Sequence, residues 1–196
     1  VGKSSVSMAA LSILRERFGR VGYLKPVGQQ WVEAESSHEP GMKVRVDKDA
    51  AVAHAFFGME DAVDDMSPVI ISRGETKRFL DNEPSALTDE TIGSRVKHAF
   101  KRLQRDNRFV IVEGTGHCGV GSILGWNNAR VAAHLGVDVV LVANGGIGST
   151  FDDLALNVLA CRAEGAGVAG IIVNRCEPSK AAEVARYLGT ASDRFG

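Results

Sequence analysis

"RFVIVEGTGHCG" (residues 108–119) sets an unbroken apolar, β-branched run directly before a carboxylate and a glycine-rich turn. Runs of Val and Ile without polar alternation belong to strands covered on both faces of a parallel sheet. Two more of the same kind follow, "VDVVLVANGG" (137–146) and "VAGIIVNR" (168–175), each closing on polar or glycine residues. Between the three lie "NNARVAAHLG" (127–136) and "TFDDLALNVLACRAEG" (150–165), whose apolar spacing and terminal glycines mark helices with a C-terminal stop. Thr150 and Asp153 have the spacing of a capping box at the start of the second helix. The β-α-β-α-β alternation implies right-handed crossovers and a sheet with helices on both sides. The expected class is therefore α/β, a three-layer α/β/α domain with a mostly parallel sheet.

Working toward the N-terminus, "RVGYLKPVG" (20–28) gives a strand over 21–25, broken by Pro26 and Gly28. Residues 29–48 are polar, contain Pro40 and Gly41 and show no sustained period, which predicts a loop or mobile arm. "DAAVAHAFFG" (49–58) reads as a helix ending at Gly58, and "SPVIIS" (67–72) as a short strand. In "ETIGSRVKHAFKRLQRD" (90–106) the residues Ile92, Val96, Ala99, Phe100 and Leu103 fall on one helical face. No internal repeat or low-complexity segment interrupts this pattern.

Bulk properties narrow the function classes. A chain of 196 residues, 44% hydrophobic, suits a single domain spanning 1–196. A net charge of −1 gives no global reason to expect nucleic acid as a partner. No apolar run approaches the roughly 18 residues that span a bilayer, so no membrane role is expected. The expected location is the cytoplasm, or an organelle stroma or matrix if a transit peptide preceded Val1. Cys118, Cys161 and Cys176 are odd in number, far apart in sequence and outside any Cys-x-x-Cys pair, so neither a disulfide framework nor a zinc site is supported. The five histidines are scattered without metal-pair spacing.

The chemistry gathers at strand ends, where open α/β sheets bind their ligands. Those ends carry Lys25-Pro26, Glu113-Gly114-Thr115-Gly116, Asn144-Gly145-Gly146 and Asn174. The chain opens on Gly2-Lys3-Ser4-Ser5, running straight into a helix. In a phosphate-binding loop, backbone N–H groups and a helix N-terminus surround the phosphate oxygens, Lys adds a point charge, and the next Ser or Thr reaches Mg²⁺. Helix-start composition alone produces the same four residues, so both readings stand. The full pattern needs another Gly five residues before Gly2, after a buried strand; both would precede Val1, and the sequence is expected to be a fragment. Glu113, directly after "VIV", is the right type to hold Mg²⁺, a hard cation that prefers oxygen; the other reading is a carboxylate capping a turn. "NGGIGS" (144–149) reads either as a second anion site or as a tight turn. "SRGETKRFLD" (72–81), with Arg73, Lys77 and Arg78, reads either as a grip on an acidic substrate or as a solvated helix start. His117 and Cys118 are candidates to line the pocket, without the base and orienting group of a Cys-His nucleophile.

With these residues in view, the chain resembles the dethiobiotin synthetase-like branch of P-loop NTPases, which includes the N-terminal ATPase-like domain of phosphotransacetylases. The carriers are Gly-Lys-Ser at 2–4, "YLKPVGQ" at 23–29, "VDKDAA" at 46–51, "VIVEGTG" at 110–116 and "GIIVNRCEP" at 170–178. The resemblance implies a parallel-sheet core that binds ATP and Mg²⁺. It assigns Lys3 and Lys25 as catalytic, and Gly2, Lys3, Ser4, Ser5 and Asn174 to the nucleotide. It assigns Ser4, Asp49 and Glu113 to the metal. Asp49 matches the family aspartate better than Asp47 because it begins a helix; the other reading is an ordinary helix N-terminal acid. Lys25 is either the family lysine facing the reacting group or an exposed lysine after a strand. Asn174 is either a base-recognition amide or the cap of the following turn. Gly28-Gln29-Gln30, where dethiobiotin synthetases carry Ser-Gly, is closer to the phosphotransacetylase-associated domains and leaves biotin chemistry open. The resemblance implies ATP-dependent activation of a small carboxylate, or of a carbamate made from an amine, in a homodimer. The alternative is a nucleotide-sensing regulatory domain without small-molecule chemistry of its own.

Overall fold

The computed structural model describes residues 2–84 and 87–195. Helix α1 (Lys3–Phe18) leads into strand β1 (Val21–Leu24), then a hairpin of β2 (Trp31–Glu35) and β3 (Lys43–Asp47). Helices α2 (Lys48–Phe57), α3 (Val63–Met66), α4 (Glu75–Leu80) and α5 (Asp89–Asp106) precede β4 (Phe109–Val112). The chain ends on α6 (Asn128–Leu135), β5 (Val139–Asn144), α7 (Gly148–Glu164), β6 (Val168–Asn174) and α8 (Ala181–Phe195). β1 pairs with β4 and β5 with β6, both parallel, as the α/β pattern requires.

The first parallel pair carries the main core. Leu11 of α1, Val21, Tyr23 and Leu24 of β1, Ala50 and Ala53 of α2, and Ala99, Phe100 and Leu103 of α5 form one buried cluster. The α5 stripe read from the sequence is buried at every expected position, including Ile92 and Val96. Its start is fixed by a capping box in which Thr88 and Thr91 exchange bonds. A second cluster joins β5 to α6 and α7 through Ala129, Ala132, Leu141, Ala143, Leu154 and Cys161.

Four expectations need correcting. The segment 29–48 is an antiparallel hairpin, not a loop or mobile arm, with Trp31 opposite Asp47 and Glu35 opposite Lys43. Its tip is tied to the body. Ser36 Oγ donates to Asp64 Oδ1 at 2.8 Å, the Ser37 amide donates to Asp64 Oδ2 at 2.7 Å, and His38 Nε2 lies 3.2 Å from buried Asp65, which also holds Arg102. "SPVIIS" forms only a single bridge, Gly28 to Ile70, because the Gly28 amide and carbonyl are its ladder partners. Thr150 does not cap α7, which begins earlier at Gly148; the buried Thr150 hydroxyl donates to the Asn144 carbonyl at 3.1 Å instead. The apolar strands are also less covered than their composition predicts. Phe109, Val140, Ile171 and Ile172 are exposed, because among the described residues no element fully covers these positions on the faces of β4, β5 and β6.

One close contact supplies a test of the packing. A Cβ on Gly93, in mid-α5, would lie 2.7 Å from the Cζ2 and Cη2 atoms of Trp126. Gly93→Ala gains helix propensity worth up to ~1 kcal/mol, but it drives a methyl into a buried ring packed against Arg130 and His134, a strain of roughly 1–3 kcal/mol. Overpacking outweighs propensity: urea unfolding of Gly93→Ala should show a net loss of about 1 kcal/mol or more, whereas a gain in stability would mean that the ring is free to move.

Candidate functional site

The register of β1 against β4 builds the site. Leu24 lies opposite Val112, so the two strands end at the same level and Lys25 and Glu113 are the next residue of each. The ladder continues one step further, with the Glu113 amide donating to the Leu24 carbonyl at 2.8 Å. Lys25 is only 4% exposed and Glu113 3%. Lys25 Nζ donates to Glu113 Oε1 and to Asp49 Oδ2, each at 3.0 Å. Asp49 reaches this point because Asp47 is the N-cap of α2, its carboxylate accepting from the Asp49 amide at 3.0 Å.

Ser4, in the first turn of α1, closes the group. Its Oγ is 2.7 Å from Glu113 Oε1 and 3.0 Å from Asp49 Oδ2, yet a hydroxyl has one proton and serves one carboxylate at a time. The second oxygen of Glu113 accepts from the Tyr23 hydroxyl at 2.8 Å. Tyr23 was not singled out in the sequence; the signal was its place two residues before Lys25, on the same face of the strand.

Electrostatics follows from this crowding. Burial would lower Lys25, but the Glu113 carboxylate, with Asp49, more than offsets it and holds the ammonium above its usual range. Burial pulls Asp49 up, and the hydrogen bond and charge of Lys25, helped by Ser4, bring it below the ordinary carboxylate range. Burial and then Glu113 push the Tyr23 phenol far up, so it stays a donor. The cluster of one ammonium and two carboxylates opens on a cleft of about 220 Å³, where Asp47, Lys3 and Lys48 bring the lining to three carboxylates and three ammonium groups. Lys3, Gln29, Gln30 and Gly114–Gly116 contribute to its walls.

The donor set fits a hard cation. Ser4 Oγ, Asp49 Oδ2 and Glu113 Oε1 are hard oxygens brought to one point, two of them from carboxylates. No group of three or more His, Cys, Asp or Glu forms a self-sufficient cage among the described residues. Mg²⁺ beside phosphates uses one or two carboxylates and leaves the remaining positions to water and phosphate oxygens. The start of α1 likewise fits an anion. Gly2 is its N-cap in the left-handed region, no side chain caps it, and its first turn holds no acidic residue.

These features agree with what the chain is similar to. A family model described as an AAA domain matches residues 1–192. The ATP-dependent dethiobiotin synthetase BioD of Aromatoleum aromaticum is 30% identical over 182 residues, covering 91% of this chain and 75% of the relative. That of Anaeromyxobacter dehalogenans is 30% identical over 203 residues, covering 95% and 80%. A phosphate acetyltransferase of Nitratidesulfovibrio vulgaris is 26% identical over 145 residues, which are 74% of this chain and 18% of that protein. The chain is a P-loop NTPase of the dethiobiotin synthetase-like family.

Within this dethiobiotin synthetase-like fold the residues singled out from sequence divide into two groups. Lys3, Ser4, Lys25, Asp49 and Glu113 all line the one cleft. Gly2 and Asn174 meet beside it: a Cβ on Gly2 would stand 2.7 Å from Asn174 Nδ2, so the end of β6 packs on the start of α1. Ser5 is exposed on the first turn and is not among the cleft's lining residues. His117 and Cys118 do not line the cleft either. Cys118 turns inward, its Sγ 3.6 Å from that of Cys161, and burial pushes its thiol up to about 12, unsuited to a nucleophile. The sequence could not bring these two cysteines together, because their elements meet only through packing. Arg78 of the 72–81 segment is engaged with Glu75 and Glu83. No helix among the described residues is long and apolar enough to cross a membrane.

The cluster predicts its own mutational cost. Lys25→Met leaves the buried Glu113 carboxylate, with half-buried Asp49 beside it, without its counter-ion, a loss of roughly 3–5 kcal/mol. Tyr23→Phe leaves one Glu113 oxygen unserved, for about 1–3 kcal/mol. Thermal or urea unfolding should rank them in that order; equal and small losses would mean that water, not these side chains, satisfies Glu113.

Proposed function

We propose that the protein binds MgATP in this cleft and uses it to activate a small carboxylate, or a carbamate formed from an amine, for ring closure or amidation. The observation that carries the reading is Lys25, a second lysine held in the cleft that Lys3 and Ser4 line. A phosphate-binding loop needs one lysine; a buried second one lining the same cleft is available to meet a reacting anion.

Bound MgATP supplies a transferable phosphoryl group. Lys3 and the α1 N-terminus, with Gly2 as its N-cap and the Ser5 backbone N–H in its first turn, neutralise and orient the polyphosphate. Ser4, Asp49 and Glu113 hold the metal, and Asn174 faces the nucleotide base. Lys25 trades its carboxylate partners for the incoming substrate oxygen, offsetting charge as it develops and excluding water from its side of the cleft. The names of the BioD relatives support a synthetase of this type, and the phosphate acetyltransferase match keeps a nucleotide-sensing domain as the competing assignment. A sensor needs Lys3 but has no use for Lys25 in the cleft. The reading includes a homodimer, for which the exposed Leu156 and Leu159, three residues apart on α7, offer an apolar stripe.

The test is ADP formation by the full natural protein with Mg²⁺, across small diacids, amino acids, and diamines with bicarbonate. The proposal expects turnover that requires a substrate of one of these classes. It expects Lys25→Ala to lower that turnover on the order of 10²-fold or more while leaving nucleotide affinity near the unchanged level. Binding of ATP with no substrate-dependent turnover, and no effect of Lys25→Ala, would favour the sensing domain instead.

A further inference from the structure

Lys25 Nζ and Ser4 Oγ converge on the same two atoms. The ammonium lies 3.0 Å from both Glu113 Oε1 and Asp49 Oδ2, and the hydroxyl lies 2.7 Å from the first and 3.0 Å from the second. Adjacent oxygens on an octahedral Mg²⁺, bonded at ~2.1 Å, stand about 3.0 Å apart. The spacings from Ser4 to the two carboxylate oxygens are of that size, so the three oxygens suit neighbouring positions on one small, hard cation. Lys25 holds two of these three atoms.

A divalent cation and the ammonium are therefore rivals. A cation bonded at ~2.1 Å to Glu113 Oε1 would stand at most about 5 Å from an ammonium held 3.0 Å from that same atom. Like charges so close repel strongly away from bulk water, and each weakens the hold of the shared oxygens on the other. Anchoring decides which partner yields. Glu113 Oε2 accepts from the Tyr23 hydroxyl at 2.8 Å, and the Glu113 amide is tied to the Leu24 carbonyl at 2.8 Å. Asp49 sits in the first turn of α2, whose N-cap is Asp47. The Lys25 backbone is fixed as well, its amide donating to the Met66 carbonyl at 2.8 Å, with Pro26 next. The Lys25 side chain is the mobile member, a compact charge on a flexible four-carbon stem that lines the cleft.

We propose that Lys25 is a latch that a divalent cation releases. The ammonium bridges Glu113 and Asp49; a cation taking up Ser4, Asp49 and Glu113 displaces it into the cleft, where it is free to meet a substrate anion. Metal loading thereby precedes capture of the substrate and orders the two binding events. In placing the cation on these three residues the inference rests on the reading of the cleft as a MgATP site. Linkage is reciprocal: the grip of the ammonium weakens the cation by the same factor by which the cation loosens the ammonium.

The test uses the full natural protein, without nucleotide or substrate, titrated with Mn²⁺ while the free ion is followed by electron paramagnetic resonance. Lys25→Met should bind Mn²⁺ more tightly than the wild type, on the order of tenfold or more. Lys48 is exposed in the same cleft and has no bond to Glu113 or Asp49 among the described residues. Lys48→Met should therefore change the affinity less than about threefold. A second measurement needs only the wild type and decides even if Lys25→Met misfolds: brief acetylation with acetic anhydride, read by peptide mass spectrometry. Mg²⁺ should raise the acetylation rate at Lys25 several-fold and leave the exposed Lys97 and Lys101 of α5 unchanged. Equal or weaker Mn²⁺ binding by Lys25→Met, an equal gain in Lys48→Met, or acetylation of Lys25 that Mg²⁺ does not accelerate would overturn the latch. Because neither measurement contains ATP, failure of the latch leaves the proposed reaction to its own assay, and failure of the ATP assay leaves the cation exchange measured.

Discussion

The whole arrangement depends on one pairing: the parallel ladder of β1 with β4, in a register that ends both strands together and brings the Lys25 ammonium against the Glu113 carboxylate. At 3.0 Å, with an effective dielectric near 20, that attraction is worth about 5 kcal/mol gross. Desolvating each ion costs several kcal/mol, so the pair is close to balanced as a stabilising device. Its strongest consequence is the placement of charge: two carboxylates and a hydroxyl around one ammonium, at a strand end open to a cleft. A cluster of this kind is ready to exchange partners, because the ammonium and a metal ion compete for the same oxygens.

The rest of the fold can be understood as the support for that cluster. Asp47 spends its carboxylate on capping α2, which turns Asp49 toward Lys25. The Asp47 amide is held in turn by the Ser67 hydroxyl at 2.7 Å. Tyr23, fully buried, fixes the oxygen of Glu113 that Lys25 and Ser4 do not reach. The α5 stripe presses on β1 from within the same core. The hairpin, tied at its tip through Ser36, Ser37 and His38, leaves Gln29 and Gln30 as walls of the cleft rather than as part of a wandering loop.

Much of this was legible in the sequence, for identifiable reasons. Lys25, Glu113, Ser4 and Asp49 each follow a strand or begin a helix, positions where residue type betrays chemistry whatever the exact packing. The α5 face was legible because its period is strong and its surface charged. The hairpin was hidden because its strands are only five residues each, both interleave charged with apolar residues, and Pro40 and Gly41 lie between them. Thr150 misled because cap spacing says nothing of where the helix starts, and here the chain turns helical at Gly148. Tyr23 and Trp126 were not singled out; only geometry shows that one donates to Glu113 and that the other has a buried N–H with no acceptor among the described residues.

The most direct test of the central claim is a double-mutant cycle on Lys25→Met and Glu113→Gln, read by urea unfolding. If the two side chains form one buried charge pair at the rim of the cleft, each single change is costly, the double change costs much less than their sum, and the coupling is on the order of 2 kcal/mol or more. Strict additivity, with a coupling near zero, would mean that the ammonium and the carboxylate do not meet, and the account built on their meeting would be contradicted.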